Sequence, residues 1–350
     1  MKSFFRRSLR QVWFSLALFW LFAARVVLGE APPPVDGGFT LAVLPDTQIY
    51  AWKFPETYPA QTKWIASNAK KYNIAYVLHV GDITQHNTND QWRVAAQAHA
   101  LLDARVPCAL TVGNHDLGPN GNASSRQTAL NEFFPVATLK KWPTFGGVYD
   151  KEPERTENNF HLFEAGGRKW LILALEFGPR DDVLRWANDV VKRHADRSAI
   201  LVTHAYLRPD NSRFDRRIME EAKKNKVARN KGLDGYALSK AAGGFNDGED
   251  IWQKLVSQHA NFALVVSGHV CVTGRLDSQG KHGNTVHQMV VDYQNQKNGG
   301  EGYLRLLQFH PDGKTVTVRD YSPVLDQISG QPGANYEFTI EPAAVGKSVP

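Results

Sequence analysis

Five short apolar runs each stop at residues able to hold a metal ion or move a proton. "LAVLPDTQ" ends in Asp46 and Gln48, "LHVGDIT" in Asp82, and "LTVGNHD" in Asn114, His115 and Asp116. "LVTH" ends in His204, and "VVSGHVC" in His269 and Cys271. In three of these runs a glycine stands just before the polar residue, where it permits a sharp turn and close approach of backbone to a ligand. Taken singly, an Asp or Asn after a strand is a turn residue or a helix cap, and a His there is a satisfied core group. Taken together, carboxylates, an amide and imidazoles ending five runs of one chain suit metals of the zinc, iron or manganese kind.

For such residues to meet, the runs that carry them must lie side by side with their ends on one rim. Strands are expected at 39–44, 74–80, 107–112, 169–175 and 198–204, alternating with helices at 57–72, 89–104 and 181–195. That alternation favours a parallel or mixed sheet covered by helices. In open sheets of this kind the carboxyl ends of the strands line the ligand crevice. A charged and then Gly-rich stretch near 205–248 reads as a surface insertion, a lid over that crevice. After a helix at 249–260 the chain turns to β structure in "NFALVVSG", "NTVHQMVVDY", "GYLRLLQFH" and "KTVTVRDYS", with Pro311-Asp312-Gly313 as a hairpin turn.

The series Asp46…Gly81-Asp82…Gly113-Asn114-His115-Asp116…His204…Gly268-His269 resembles the calcineurin-like metallophosphoesterase superfamily. That family shows Asp-x-His, Gly-Asp, Gly-Asn-His-Asp/Glu, a lone His and Gly-His-x-His in this order. The resemblance runs from about Phe39 to about Pro323, and is similar in detail to an exported branch whose first motif reads Asp-Thr-Gln. It implies an α/β fold of two mixed β-sheets packed as a sandwich, with helices on the outer faces. It also implies two divalent or trivalent metal ions (Zn, Fe or Mn) and hydrolysis of a small phosphoric ester, either a monoester or a diester. By position, Asp82 would bridge the ions, and Asn114, His204 and His269 would complete one site. Asp46 would belong to the other site. His115 resembles the histidine that stabilises the transition state or protonates the leaving oxygen, with Asp116 holding the other nitrogen of its ring.

The chain departs from the pattern at the Asp46 site, where the usual histidines are Gln48 and Cys271. An amide oxygen is a weaker ligand than imidazole for borderline metals, whereas a thiolate is softer and favours zinc or iron. Cys271 is thus either a ligand or a small filler that leaves this site weak. The alternative to catalysis is a metal- or phospho-ligand-binding protein, which has no use for His115. A disulfide is excluded if the strands run parallel. Cys108 opens the strand whose far end approaches the site, roughly 17 Å away, and paired cysteines need Cα atoms within about 7 Å.

The 350 residues allow one large domain or two ordinary ones. Basic residues followed by the short apolar run "VWFSLALFWLFAA" read as a signal peptide over 1–29, cut after Gly29, and hence export to the periplasm or exterior. A membrane contact arises only if that segment stays uncleaved. A linker is expected over 30–38, the phosphoesterase unit over 39–323 and a C-terminal extension over 324–350. The formal charge of +6 belongs mostly to the export segment: five of the 41 bases and none of the 35 acids precede Glu30, leaving 36 bases against 35 acids. That near-balance gives no reason to expect a nucleic-acid partner.

Overall fold

The computed structural model describes residues 30–218, 220 and 232–341. The expected signal peptide over 1–29 and residues 342–350 lie outside the described residues. Among the described residues, no helix is long and apolar enough to cross a membrane.

The strands form two mixed sheets, as expected. In the first, β1 (Phe39–Leu44), β2 (Ile74–His79) and β3 (Cys108–Leu110) run parallel. On the other side of β1, β11 (Leu304–Phe309) and β12 (Thr315–Ser322) pair antiparallel, and β12 carries both β13 (Gln327–Ile328) and β14 (Asn335–Thr339). Residues 324–341, expected within a C-terminal extension, are thus built into this sheet. The hairpin at Pro311-Asp312-Gly313 forms as expected, with Asp312 accepting from the backbone of Lys314 and Thr315 at 2.8 Å each.

The second sheet runs β4 (Phe145–Val148), β5 (Asn159–Ala165), β6 (Arg168–Leu175), β7 (Ser198–Thr203), β8 (Phe262–Ser267), β10 (Thr285–Val291) and β9 (Thr273–Gln279). Its central strands β6, β7, β8 and β10 are parallel. The residue pattern gives no separate strand between 113 and 168; the Gly-Gly of β4 and the polar residues of β5 mask it.

The layering follows from strand periodicity. Leu41 and Val43 of β1 face inward against Ile172, Ile200, Val202, Leu264 and Val266 of the second sheet. Ala42 and Leu44 face outward onto Tyr50 of α1 (Gln48–Lys53), Tyr58 and Ile65 of α2 (Thr57–Asn68) and Trp92 and Ala95 of α3 (Asn89–His99). On the far side, Leu171, Leu173 and Leu201 pack on Val183, Trp186 and Val190 of the helix Asp181–Arg193. Strands buried on both faces explain why their sequences read as continuous apolar runs.

The 205–248 stretch combines an exposed surface with an apolar underside. Its described parts are exposed at residues such as Asp210, Asn211 and Arg217 but are anchored to the core by buried apolar side chains. Phe214, Leu233, Leu238 and Phe245 are buried in the same cluster as α2 and α3. Residues 219 and 221–231 lie outside the described residues.

Candidate metal centre

The parallel registers bring the strand ends to one rim. Leu44 pairs with His79 across β1 and β2, which places Asp46 level with the Asp82 turn. Val202 pairs with Val266 across β7 and β8, so His204 and Gly268-His269 emerge together. The two sheets face each other, and their ligand-bearing turns converge between them.

At the centre, Asp82, His204 and His269 each offer a ligand atom within 4.8 Å of the others. His204 Nε2 lies 3.1 Å from Asn114 Oδ1, 3.3 Å from Asp82 Oδ1 and 3.2 Å from His269 Nδ1. Its other nitrogen, Nδ1, lies 3.0 Å from the Val80 carbonyl, which can only accept, so Nδ1 carries the proton. The Nε2 lone pair then points at a carboxylate oxygen, an amide oxygen and another imidazole nitrogen. A metal ion suits that donor set, because a carbonyl on the far nitrogen fixes the ligating tautomer. Burial alone would lower the His204 pKa, but the Asp82 charge reverses this and raises it. Burial, and then the His204 charge, push His269 down to about 3. Burial would raise the Asp82 carboxyl, but the neighbouring histidines, His204 first, hold it at about 2.

The turns are shaped for this convergence. Asp82, His269 and Cys271 have φ of 49°, 81° and 56°, a left-handed conformation that costs side-chain-bearing residues about 1–3 kcal/mol each. A Cβ at Gly113 would sit 2.1 Å from Asp82 Oδ1, and one at Gly268 would sit 2.1 Å from Asp46 Oδ1. These two glycines therefore answer to close approach by the carboxylates.

His115 is half-buried, with its backbone N–H on Asp82 Oδ1 at 2.9 Å and its Nδ1 2.9 Å from the Gln85 carbonyl. Asp116 does not hold that ring, contrary to expectation. Its carboxylate accepts from the backbone N–H groups of Gly113 (2.9 Å), Ile83 (3.0 Å) and Thr84 (2.7 Å). The reason is local: Asn114–Asp116 is a single 3₁₀ turn, so the third residue folds back over Gly113 while His115 points elsewhere. Asp116 is a brace that ties the Asp82 turn to the Asn114 turn, and Gln85 supplies the carbonyl that orients His115.

The remaining expected residues gather in a second cluster. Asp46 is 1% exposed, and its carboxylate accepts from His269 N at 3.1 Å and from Gln294 Nε2 at 3.2 Å. The same Gln294 nitrogen lies 3.0 Å from Asp292 Oδ2. Gln48 is buried against Gln294, its amide nitrogen on Gln294 Oε1. Cys271 donates its backbone N–H to Asp292 Oδ2 at 2.6 Å. Burial first, then the Asp292 and Asp46 charges, push its thiol well up, so a thiolate is disfavoured there before any ion arrives. Burial, and then the Asp292 charge, raise Asp46 as well. Cys108 and Cys271 are both free, in line with the exclusion of a disulfide.

Sequence reasoning missed Asp292 and Gln294. Val290 pairs with Ser267 across β10 and β8, so Asp292 reaches the rim beside His269. The strand-end rule that picked out the others applies equally to "MVVDYQ". It was hidden because the strand carrying it falls in the all-β C-terminal part, whose pairing to the central strands the residue pattern does not show. Also missed was the aromatic wall on His269. Phe177, Phe214 and Tyr236 lie 5.9, 5.7 and 6.2 Å from its ring.

Comparison with known proteins agrees with this architecture. A model of the calcineurin-like phosphoesterase family matches residues 39–273. A Bacillus subtilis (strain 168) protein described as uncharacterized protein YvnB is 31% identical over 306 residues. The match covers 85% of this chain, but the chain spans only 21% of that relative. The crystal structure of a dimetal phosphatase from Danio rerio has a TM-score of 0.51 and 11% identity, covering 88% of this chain and 100% of that one. A purple acid phosphatase from yellow lupin (Lupinus luteus) seeds has a TM-score of 0.48 and 14% identity, covering 89% of this chain and 55% of that one. At 11% identity the Danio rerio structure speaks to the fold alone.

Proposed function

The chain belongs to the calcineurin-like phosphoesterase family, and from that premise we propose that it hydrolyses small phosphoric esters at two metal ions held on the strand-end rim. The observation that carries this reading is the arrangement of Nε2 of His204. That single lone pair faces Asp82 Oδ1, Asn114 Oδ1 and His269 Nδ1, all at 3.1–3.3 Å, with its tautomer fixed by Val80. Asp82, Asn114, His204 and His269 would hold one ion, and Asp82 with Asp46 the other.

Bound there, such ions supply an activated water and offset the charge of the phosphoryl oxygens. The chain supplies the rest. His115 is held through Nδ1 by Gln85, which leaves Nε2 as the atom that would face the departing oxygen and, when the ring carries protons on both nitrogens, give it one. Asp116 keeps the Asp82 and Asn114 turns in register through its backbone hydrogen bonds. Phe177, Phe214 and Tyr236 wall the His269 side and limit water there. A protein that only bound metal or a phospho-ligand would need no half-buried histidine aimed by a carbonyl beside Asp82.

The test is metal content together with turnover of a chromogenic phosphomonoester and phosphodiester. The reading expects turnover that a chelator abolishes and added Mn²⁺ or Zn²⁺ restores. Metal bound without turnover of either ester would favour the binding protein instead. Export, which the first 29 residues suggest, is tested by finding the mature chain beginning near Glu30 outside the cytoplasm.

A further inference from the structure

At the ends of β1 and β10, two carboxylates are buried side by side. Asp46 and Asp292 are each 1% exposed, and one Gln294 amide nitrogen donates to both, at 3.2 and 3.0 Å. Among the described residues no Lys or Arg ion-pairs with either. Their other donors are neutral backbone N–H groups, His269 on Asp46 and Cys271 and Gln294 on Asp292, and burying two like carboxylates with no cation beside them is costly. The Gln294 NH₂ sits where a cation would offset both.

A second observation points to a ligand at the same place. Gln48 is 3% exposed, and its side-chain oxygen Oε1 has no hydrogen-bond partner. Its amide end lies against Gln294, at the edge of the carboxylate pair. A buried carbonyl oxygen left without a donor costs about 1–3 kcal/mol. An ion between Asp46 and Asp292 would both displace the Gln294 donor and give Gln48 Oε1 something to bind.

Cys271 is arranged differently. Its backbone N–H donates to Asp292 Oδ2 and its protonated thiol hydrogen-bonds the same carboxylate, so the cysteine turn serves Asp292 as a donor. The hydrogen bond fixes Asp292 against the left-handed Cys271 backbone and sets which way its oxygens face.

We infer that Asp292, and not Cys271, takes the ligand place left by the histidines that the family pattern puts at positions 48 and 271. The second centre then draws on oxygen donors: the carboxylates of Asp46 and Asp292 and the amide oxygen of Gln48, with Asp82 joining only through the bridging role proposed above. Oxygen donors select hard ions such as Mn²⁺ or Mg²⁺, whereas the His204–His269 centre suits zinc or iron. The protein is therefore built to hold two unlike metals. This inference rests on the two-metal reading above.

The experiment uses the full mature chain, stripped with chelator and then titrated with Zn²⁺ and with Mn²⁺. Calorimetry gives the stoichiometry, and electron paramagnetic resonance gives the Mn²⁺ environment. The parent should take one Zn²⁺ tightly and then one Mn²⁺. Asp292→Asn keeps the shape and the acceptor for Cys271 N. It should leave Zn²⁺ binding unchanged and weaken Mn²⁺ by more than about 100-fold, beyond the 10–100-fold loss expected of a residue that only orients a ligand. Cys271→Ser should keep both ions. Retained Mn²⁺ binding in Asp292→Asn, or a loss of only 10–100-fold, would overturn the assignment. So would loss of the second ion in Cys271→Ser together with a thiolate band in the cobalt-loaded parent. Failure of the parent to bind Zn²⁺ at all would instead sink the two-metal reading itself. A melting curve for each variant separates lost ligation from lost fold.

Discussion

The Nδ1 atom of His204 lies 3.0 Å from the carbonyl oxygen of Val80, two residues before Asp82. This bond joins the two sheets at their ligand ends: β7 supplies the imidazole, and the chain leaving β2 supplies the acceptor. It fixes at once the tautomer of His204 and its distance from the Asp82 carboxylate. The metal centre is thus a joint between sheets, and its geometry depends on how they pack.

His115 is expected to act on the reaction and not on the metal. His115→Ala should lower kcat by roughly 10²–10⁴ while metal content stays at the parental value. Loss of metal in step with rate, read by elemental analysis of the purified variant, would make the residue structural.

The two close-approach glycines give a sharper geometric test. A methyl at Gly268 would stand 2.1 Å from Asp46 Oδ1 and push that carboxylate away. Gly268→Ala should therefore lose the ion at the Asp46 centre more than the ion at His204. An unchanged second ion would show that Asp46 is not held there for ligation.

Acid should destabilise the fold through two buried neutral histidines. Burial lowers His99 to about 4 and His161 to about 3, from 6.5. His161 is fully partnered as a neutral ring, with Tyr76 on Nδ1 and Asn159 on Nε2. As pH falls below 6.5 the unfolded chain takes up protons that the folded chain refuses. Stability is then lost toward the folded values, by up to about 1.4 kcal/mol per pH unit for each histidine. Carboxyls raised by burial, such as Asp46, act in the opposite sense, so the difference between parent and variant is the quantity to read. His161→Gln should flatten the fall of unfolding free energy between pH 6.5 and 4. An unaltered slope would mean that His161 protonates in the folded protein.

Away from the site, Arg305 and Asp320 form a pair with both side chains 0% exposed, and Tyr293 adds a hydrogen bond to Asp320 at 2.7 Å. Removing one partner strands a buried charge. Asp320→Ala should cost about 3–5 kcal/mol by denaturant unfolding, and a loss under 1 kcal/mol would contradict that.

Much of this was legible in the sequence because each signal was local. Strand ends bearing Asp46, Asp82, Asn114, His204 and His269 announce themselves by an apolar run followed by a donor. Parallel strands then bring the donors together. What stayed hidden depended on pairing between distant segments. Asp292 needed the knowledge that β10 joins β8 in parallel. The partner of Asp116 needed the 3₁₀ turn at Asn114. The burial of Phe214 and Phe245 needed their packing beside Phe177, since the surrounding charged and glycine-rich sequence reads as solvent-facing.

The most direct test of the whole account is Asp82→Ala, scored for bound metal per chain and for phosphoester turnover on one preparation. Asp82 is the carboxylate that meets His204 at 3.3 Å and receives the His115 backbone at 2.9 Å. The account predicts loss of both metals and of turnover with the fold retained. A variant that kept the parental metal content and rate would contradict it.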